Sequence, residues 1–428
     1  MTIFNIRSAC KKITWGCLLC LTLLVSTSCA QEALSELQKL YVEKRYFELR
    51  DELRAYDNEA TPELFFFRGA VDNIFNRLPD SIENLRAYLD KVGKSSRNSW
   101  TQECYDLLAD SYRKSHQYGK AAEVNQKILE LFKNRLDTET KADHENEFKL
   151  WNALKDVPPQ YASFLGNTRL QMERSHVPLT INGHDIALTY DTGADLSVII
   201  SSLAEEFGLN VVDVPIKVGT ITGEKVDAKV GVAEFVRIGN MTIQHALFLV
   251  MKDEYFYIPE IKHQIQGVIG FPVLAAMREV TFTRGGDLII PKEPQSNGDQ
   301  NLALNGMKPL IEGIYRGQRM TFVLDTGANR SDLWPPFYQT FKQEIEENST
   351  LKTEKFRGAG SQREVKAYNV ENVLFKFAGE NATFMRIPVF IEYTTDNSRY
   401  FYGNLGQDLV RKFQSMTINF ESMSVVFQ

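Results

Sequence analysis

The chain has 428 residues, 43% hydrophobic and 24% charged, which suits two or three packed domains. That composition is too apolar for wholesale disorder and too polar for a multispanning membrane protein. Against 49 Lys plus Arg stand 55 Asp plus Glu, a formal net charge of -6, so nothing suggests nucleic-acid or basic membrane-surface binding.

Arg7, Lys11 and Lys12 precede an apolar run from Ile13 to Val25, followed by the small residues Ser26 to Ala30. A cationic start, a short apolar run and a small-residue exit make residues 1–29 a secretory signal peptide. The run is short for a membrane span. Its exit reads two ways. Ser28-Cys29-Ala30 before Gln31 fits signal peptidase I. Ser26-Thr27-Ser28-Cys29 resembles a bacterial lipobox, with Cys29 the lipidated N-terminus and Ser26 where Leu is usual. The expected location is the cell envelope, as a lipoprotein facing periplasm or cell surface; the alternative is a soluble periplasmic or secreted protein. Only Cys104 lies beyond the leader, so no internal disulfide is expected. It sits in a helical stretch and reads as a buried small hydrophobe.

Residues 31–157 are poor in proline, with apolar residues at helical spacing. A weaker helix pair, Leu34 to Leu53, comes first. Two segments then align. Phe65-Phe66-Phe67-Arg68-Gly69 leads to Ser81 through Leu89, and Leu107 through Tyr112 leads to Tyr118 through Val124. Gly69 and Ser81 have the same separation as Ala109 and Ala121, small residues where paired helices approach closely. This resembles tetratricopeptide (TPR) helix pairs, which implies a docking domain for a protein partner or substrate. The alternatives are a generic helical bundle and an inhibitory prosegment; the near-balanced charge argues against the latter. Pro158-Pro159 marks the boundary.

From about residue 168 the period changes to two, with turn signals between short apolar runs. One pattern occurs twice. Val177 to Gly183 and Ile186 to Tyr190 lead to Asp191-Thr192-Gly193-Ala194; Pro309 to Gly317 and Met320 to Leu324 lead to Asp325-Thr326-Gly327-Ala328. Gly183 and Gly317 stand equally far before their Asp, so each copy reads as a hairpin whose second strand delivers the aspartate. Ser197 and Ser331 follow at matching positions. Downstream, Val268-Ile269-Gly270 matches Asn404-Leu405-Gly406 in nearly the same register.

These residues resemble the two lobes of a pepsin-like aspartic protease; Asp-Thr-Gly-Ala, continued as Asp195, is closer to the retropepsins. The implied fold class is multidomain α + β: TPR-like helical repeats, then a bilobal all-β acid-protease fold of tandem retropepsin-like lobes, 168–292 and 304–428. The resemblance implies an aspartic endopeptidase, a hydrolase, with Asp191 and Asp325 catalytic. Two carboxylates about 3 Å apart cannot both ionise, so they share a proton and supply base and acid together. Thr192 and Thr326 are implied to cross the dyad and lock the loops, and Gly193 and Gly327 to permit the tight approach. Ala194 and Ala328 lack the hydroxyl that pepsins place there for the outer carboxylate oxygen. That loss of a donor is expected to raise the dyad's pKa values. Asn404 stands where an apolar residue is usual.

A substrate-covering flap is expected in a Gly-containing hairpin of each lobe, at Thr222 and Gly223 in the first and Gly358 and Gly360 in the second. The flap tyrosine of pepsins is absent from both. No HExxH and one mature cysteine leave no expectation of metal or cofactor. The expected partners are a peptide or protein substrate and a docking protein, with membrane contact through the lipid anchor alone, no nucleic acid, and a monomer holding both lobes. The alternative function is a catalytically inactive peptide-binding cell-envelope lipoprotein that kept the bilobal fold.

Overall fold

The computed structural model describes residues 34–56, 60–219, 225–259, 262–295, 298–358 and 361–428. Cys29, Thr222, Gly223 and Gly360 lie outside them. The chain divides into a helical region, 34–153, and a β-rich part that follows.

Among the described residues seven α-helices build the first region: α1 (34–42), α2 (Tyr46–Leu53), α3 (Pro62–Ile74), α4 (Leu78–Val92), α5 (Ser99–Lys114), α6 (Tyr118–Phe132) and α7 (Thr138–Ala153). Side chains one turn ahead fix several starts. Thr61 accepts from the Leu64 amide, Asn98 from Thr101 and Asp137 from Thr140, as N-caps do. Phe47, Phe66, Phe67 and Phe75 are at most 1% exposed and form an aromatic core. Gly69 is where α3 meets α4: a Cβ there would lie 2.6 Å from Leu85 Cγ, and Ser81 Oγ donates to the Gly69 carbonyl at 2.8 Å. The small residues thus mark a close approach, as their spacing suggests. Cys104 is fully buried, and burial pushes its thiol far up.

Two eight-stranded sheets carry the Asp-Thr-Gly segments. In the first, strand His184–Tyr190 lies between His176–Ile181 and Gly267–Ile269. In the second, Gln318–Leu324 lies between Lys308–Tyr315 and Gly403–Leu405. Each hairpin turns through two residues with positive φ, Asn182 (48°) with Gly183 (91°) and Arg316 (50°) with Gly317 (82°). That is the type I′ geometry whose twist suits two-residue hairpins. Turn chemistry and alternation together therefore set where each aspartate emerges.

A five-stranded sheet joins the halves, ordered Thr168–Gln171, Asp287–Ile290, Glu279–Thr283, Ser415–Asn419 and Ser424–Phe427. Its central pairing is antiparallel, Val280 opposite Ile418, and it fixes the two units against each other. The β-rich part begins earlier than residue 168: Tyr161–Phe164 pairs antiparallel with Met241–Gln244 on the edge of the first sheet. The last unit likewise opens at Leu302, whose strand pairs with Lys308–Ile311. Short edge strands carry too little periodicity to be separated from a linker.

The helical region is seated on the sheets by side-chain bonds. Tyr46 Oη donates to Asn305 Oδ1 at 3.0 Å. On α7, Asn146 accepts from the Lys217 amide at 2.7 Å and donates to its carbonyl at 3.0 Å, so one side chain satisfies both backbone groups of an edge strand. No helix among the described residues is long and apolar enough to cross a membrane.

Candidate active site

The strand Gly267–Ile269 runs parallel to the end of His184–Tyr190, Ile269 beside Tyr190. In the second sheet Asn404 lies beside Val323 and Leu405 beside Leu324. The Asp191 amide donates to the Ile269 carbonyl at 3.1 Å and the Asp325 amide to that of Leu405 at 2.9 Å. The downstream hydrophobic-Gly strands thus hold each aspartate at a sheet end. Ser197 and Ser331 complete the support, each accepting at 3.0 Å from the motif glycine, Gly270 or Gly406.

The two Asp-Thr-Gly loops meet. Thr192 and Thr326 are at most 2% exposed and bond reciprocally: each amide donates to the other threonine's hydroxyl at 3.0 Å. Thr192 Oγ1 donates onward to the Leu324 carbonyl at 2.6 Å, and Thr326 Oγ1 to that of Tyr190 at 3.0 Å. Four buried bonds between residues far apart in the chain tie the loops into one unit. Thr326→Val keeps the volume and removes the hydroxyl, orphaning the Thr192 amide. It is expected to destabilise the chain by about 1–3 kcal/mol, read as a lowered midpoint in urea unfolding; an unchanged midpoint would deny the lock its role.

Each glycine faces the opposite carboxyl. A Cβ on Gly193 would lie 2.7 Å from Asp325 Oδ1, and one on Gly327 would lie 2.5 Å from Asp191 Oδ1. Asp191 and Asp325 therefore confront each other across the pair of loops, near enough for the charge of Asp325 to act on Asp191. Burial first, and the Asp325 charge second, push Asp191 up to about 7. This is the environment of a carboxyl that keeps a shared proton.

The two carboxyls are unequally held. Asp191 Oδ1 accepts from the Gly193 amide at 2.8 Å. Asp325 Oδ1 accepts from Gly327 at 3.0 Å and Ala328 at 3.1 Å, while its Oδ2 accepts from Asn404 Nδ2 at 3.0 Å. Ala328 does lack a hydroxyl, but Asn404 supplies the missing donor from the neighbouring strand. The expectation that neither carboxylate has such a donor is thus corrected on the Asp325 side. Asn404 is 7% exposed, so its departure from the apolar pattern is a buried amide aimed at a carboxylate. At the matching position the first sheet has Val268, which offers no donor. Replacing Asn404 by Val removes stabilisation of negative charge from one side only. The acidic limb of the pair's pH–rate profile is expected to rise by about one pH unit, measured as kcat/KM against pH; an unmoved limb would separate Asn404 from the chemistry.

Two further charged groups escaped the sequence reading. Lys308 Nζ donates to the Gly193 carbonyl at 2.8 Å and lies 3.2 Å from Asp195 Oδ1, so a residue of the second unit clamps the loop of the first. Burial works against its ammonium, but the carboxylates of Asp195, Asp325 and Asp191 outweigh that and hold it above the usual lysine value. Asp195 directly after Asp-Thr-Gly-Ala was the available signal, an acid needing a cation. Asp332 is buried opposite Asn404 in register, and burial pushes its carboxyl up against the donation from Trp334 Nε1.

Of the flap positions, Gly358 ends strand Leu351–Gly358 and pairs with Ser361. The first-sheet hairpin has the corresponding stem, Asn210–Gly219 against Lys225–Ile238. Among the described residues no cluster of three or more His, Cys, Asp or Glu could hold a metal ion.

A family model described as aspartyl protease matches residues 177–273, from the first hairpin through Asp191 to the helix after Gly270. The fold is aspartic protease-like. No curated protein matches the chain. The match supports a protease-like function in general, and it ends before the second aspartate.

Proposed function

We propose that the chain is an aspartic endopeptidase whose two Asp-Thr-Gly units form one catalytic pair within a monomer. The observation that carries this reading is the confrontation of Asp191 and Asp325 on threonine-locked loops, each carboxyl against the opposite glycine. Asp191, pushed up to about 7, holds the shared proton, and Asp325, with three donors on its oxygens, is the base. Asp325 takes a proton from a water molecule as its oxygen bonds to the scissile carbonyl carbon. Asp191 gives its proton to the carbonyl oxygen. Asp325 then passes its proton to the amide nitrogen while one hydroxyl of the gem-diol returns a proton to Asp191; the C–N bond breaks, a carboxylic acid and an amine leave, and the pair is restored.

In this reading the two β-hairpin stems present flaps over the substrate. The helical region, read as TPR-like pairs, docks a protein partner or substrate, and Cys29 anchors the chain to the cell envelope as a lipoprotein. No cofactor takes part. The test is cleavage of unfolded casein, followed by release of new amino termini and blocked by a statine-type transition-state mimic. Binding of peptides without any cleavage would instead favour an inactive binding protein on the same fold.

A further inference from the structure

We propose that the helical region positions the catalytic loops: α2 and α5 hold the turn Asn305–Met307, and that turn sets the Lys308 ammonium on the Gly193 loop. Tyr46, Asn305 and Lys308 are then positioning residues, a role that rests on the reading of Asp191 and Asp325 as the working pair. Asn305 pairs directly with Lys308, so only Gly306 and Met307 lie between the strands Leu302–Asn305 and Lys308–Tyr315. In a two-residue hairpin the turn fixes the register of both strands, so Asn305 and Lys308 move together.

Two helices hold this turn. From α2, Tyr46 Oη donates to Asn305 Oδ1 at 3.0 Å, and Asn305 Nδ2 donates onward to Asn397 Oδ1 at 2.8 Å, so both ends of the amide are tied. From α5, Arg113 reaches Gly306, where a Cβ would lie 3.9 Å from its Nη2. The guanidinium is itself fixed on the helical side, bonded to Asp110 and 3.7 Å from Glu147. Buried Met307 lines, together with Arg113 and Leu196, a cavity of about 320 Å³ where the helical region meets the sheets. Leu196 directly follows Asp195, so the turn, α5 and the catalytic loop of the first unit converge here.

Charge joins the same three regions. Lys308 Nζ lies 3.2 Å from Asp195 Oδ1 and donates to the Gly193 carbonyl at 2.8 Å, while the Gly193 amide donates to Asp191 Oδ1 at 2.8 Å. One loop residue is thus held by the helix-anchored strand on one side and by a reacting carboxyl on the other. Asp195 also acts on α5. With Asp110 and Glu147 it outweighs the burial of Arg113, and with Asp110 it opposes the burial that pulls Lys114 below the usual lysine value. The groups facing Lys308 are Asp195, Asp325 and Asp191. Behind Asp195 stand Arg113 and Lys114, the latter 2.6 Å from Asp110, and the charge of Asp325 also reaches buried Asp332. Withdrawing the Lys308 ammonium with the turn removes positive charge from beside both catalytic carboxyls, which raises the pH at which they titrate.

The test is the titration of the pair in the full chain, isotope-labelled at the aspartate carboxyl carbons, followed by NMR and assigned by difference with Asp191→Asn and Asp325→Asn. It needs no substrate. Lys308→Met is expected to raise the lower apparent pKa of the pair by about one unit, and Lys308→Arg to restore it. Tyr46→Phe changes no charge, because burial first and Glu103 second keep that hydroxyl protonated, so any shift it causes travels through the turn. Tyr46→Phe and Asn305→Ala are each expected to raise the same value by at least about 0.3 unit and to lower kcat about threefold with KM unchanged. Asn146→Ala, which cuts a bond of the helical region to Lys217, is expected to leave the titration where it is. Tyr46→Phe loses a single hydroxyl and keeps the fold, checked by circular dichroism, even where Lys308→Met unfolds. A wild type that cleaves no peptide while these shifts appear would remove the endopeptidase reading and keep the positioning. Folded Tyr46→Phe and Asn305→Ala proteins with unmoved titration and unchanged kcat would overturn the positioning and leave the endopeptidase reading standing.

Discussion

Asp325→Asn is expected to lower kcat by at least about a thousandfold while leaving the fold intact, and Asp191→Asn to do the same. On the proposed mechanism either change removes one member of a proton-sharing pair, so water activation and carbonyl protonation can no longer both occur. The double variant is expected to lose little more than either single one, because the two groups act as a unit. Steady-state cleavage of a quenched fluorescent peptide, with circular dichroism as the check on folding, decides it. A folded Asp325→Asn protein that turns over at near wild-type rate would falsify the pair.

The same residues predict a pH signature in stability. Folded Asp191 is pushed up to about 7 by burial and by Asp325, whereas in the unfolded chain it titrates near an ordinary carboxylate, about 3.9. Between those values the unfolded state has released its proton and the folded state has kept it. The stability tied to this group is therefore complete below about pH 4 and is lost as pH rises toward 7. Asp106, pushed up to about 8 by burial and by Glu103, adds a slope of the same sign in wild type and variant alike. The difference between wild type and Asp191→Asn isolates the pair: the variant's urea midpoint is expected to fall less between pH 4 and 7.

Gly327→Ala should also damage activity, less severely and by a different route. Its new Cβ would stand 2.5 Å from Asp191 Oδ1 and 2.6 Å from Oδ2, nearer than atoms can settle, so the carboxyl or the loop must shift. A displacement of about 1 Å in the reacting groups lowers rates by about a hundredfold, and the crowding itself costs about 1–3 kcal/mol of stability. Gly317→Ala is the control. There φ is 82° and a Cβ meets nothing within 4 Å, so only backbone strain is added, about 1 kcal/mol, with kcat retained. Equal activity in the two variants would mean that the loops do not press on the opposite carboxyls.

Much of this architecture is written locally. The Gly183 and Gly317 turns, the alternation after them and the Asp-Thr-Gly at each strand end are short-range features. They determine two hairpins that each deliver an aspartate, because side-chain direction in a strand follows a period of two. Gly69 and Ser81 likewise mark where two helices touch, because only small side chains permit that approach. What local patterning cannot hold is which distant strand becomes a neighbour. Asn404 read as a flaw in an apolar motif until the parallel pairing with Val323 put its amide on Asp325. Nothing in the sequence pattern singles out Lys308; the meeting of the two units brings it to Gly193 and Asp195. The cavity lined by Arg113, Gln160 and Met307 is made by three segments with no common periodicity. Hydrophobic period and turn chemistry fix the elements; the unequal support of the two aspartates arises only when non-local sheet register and domain packing bring those elements together.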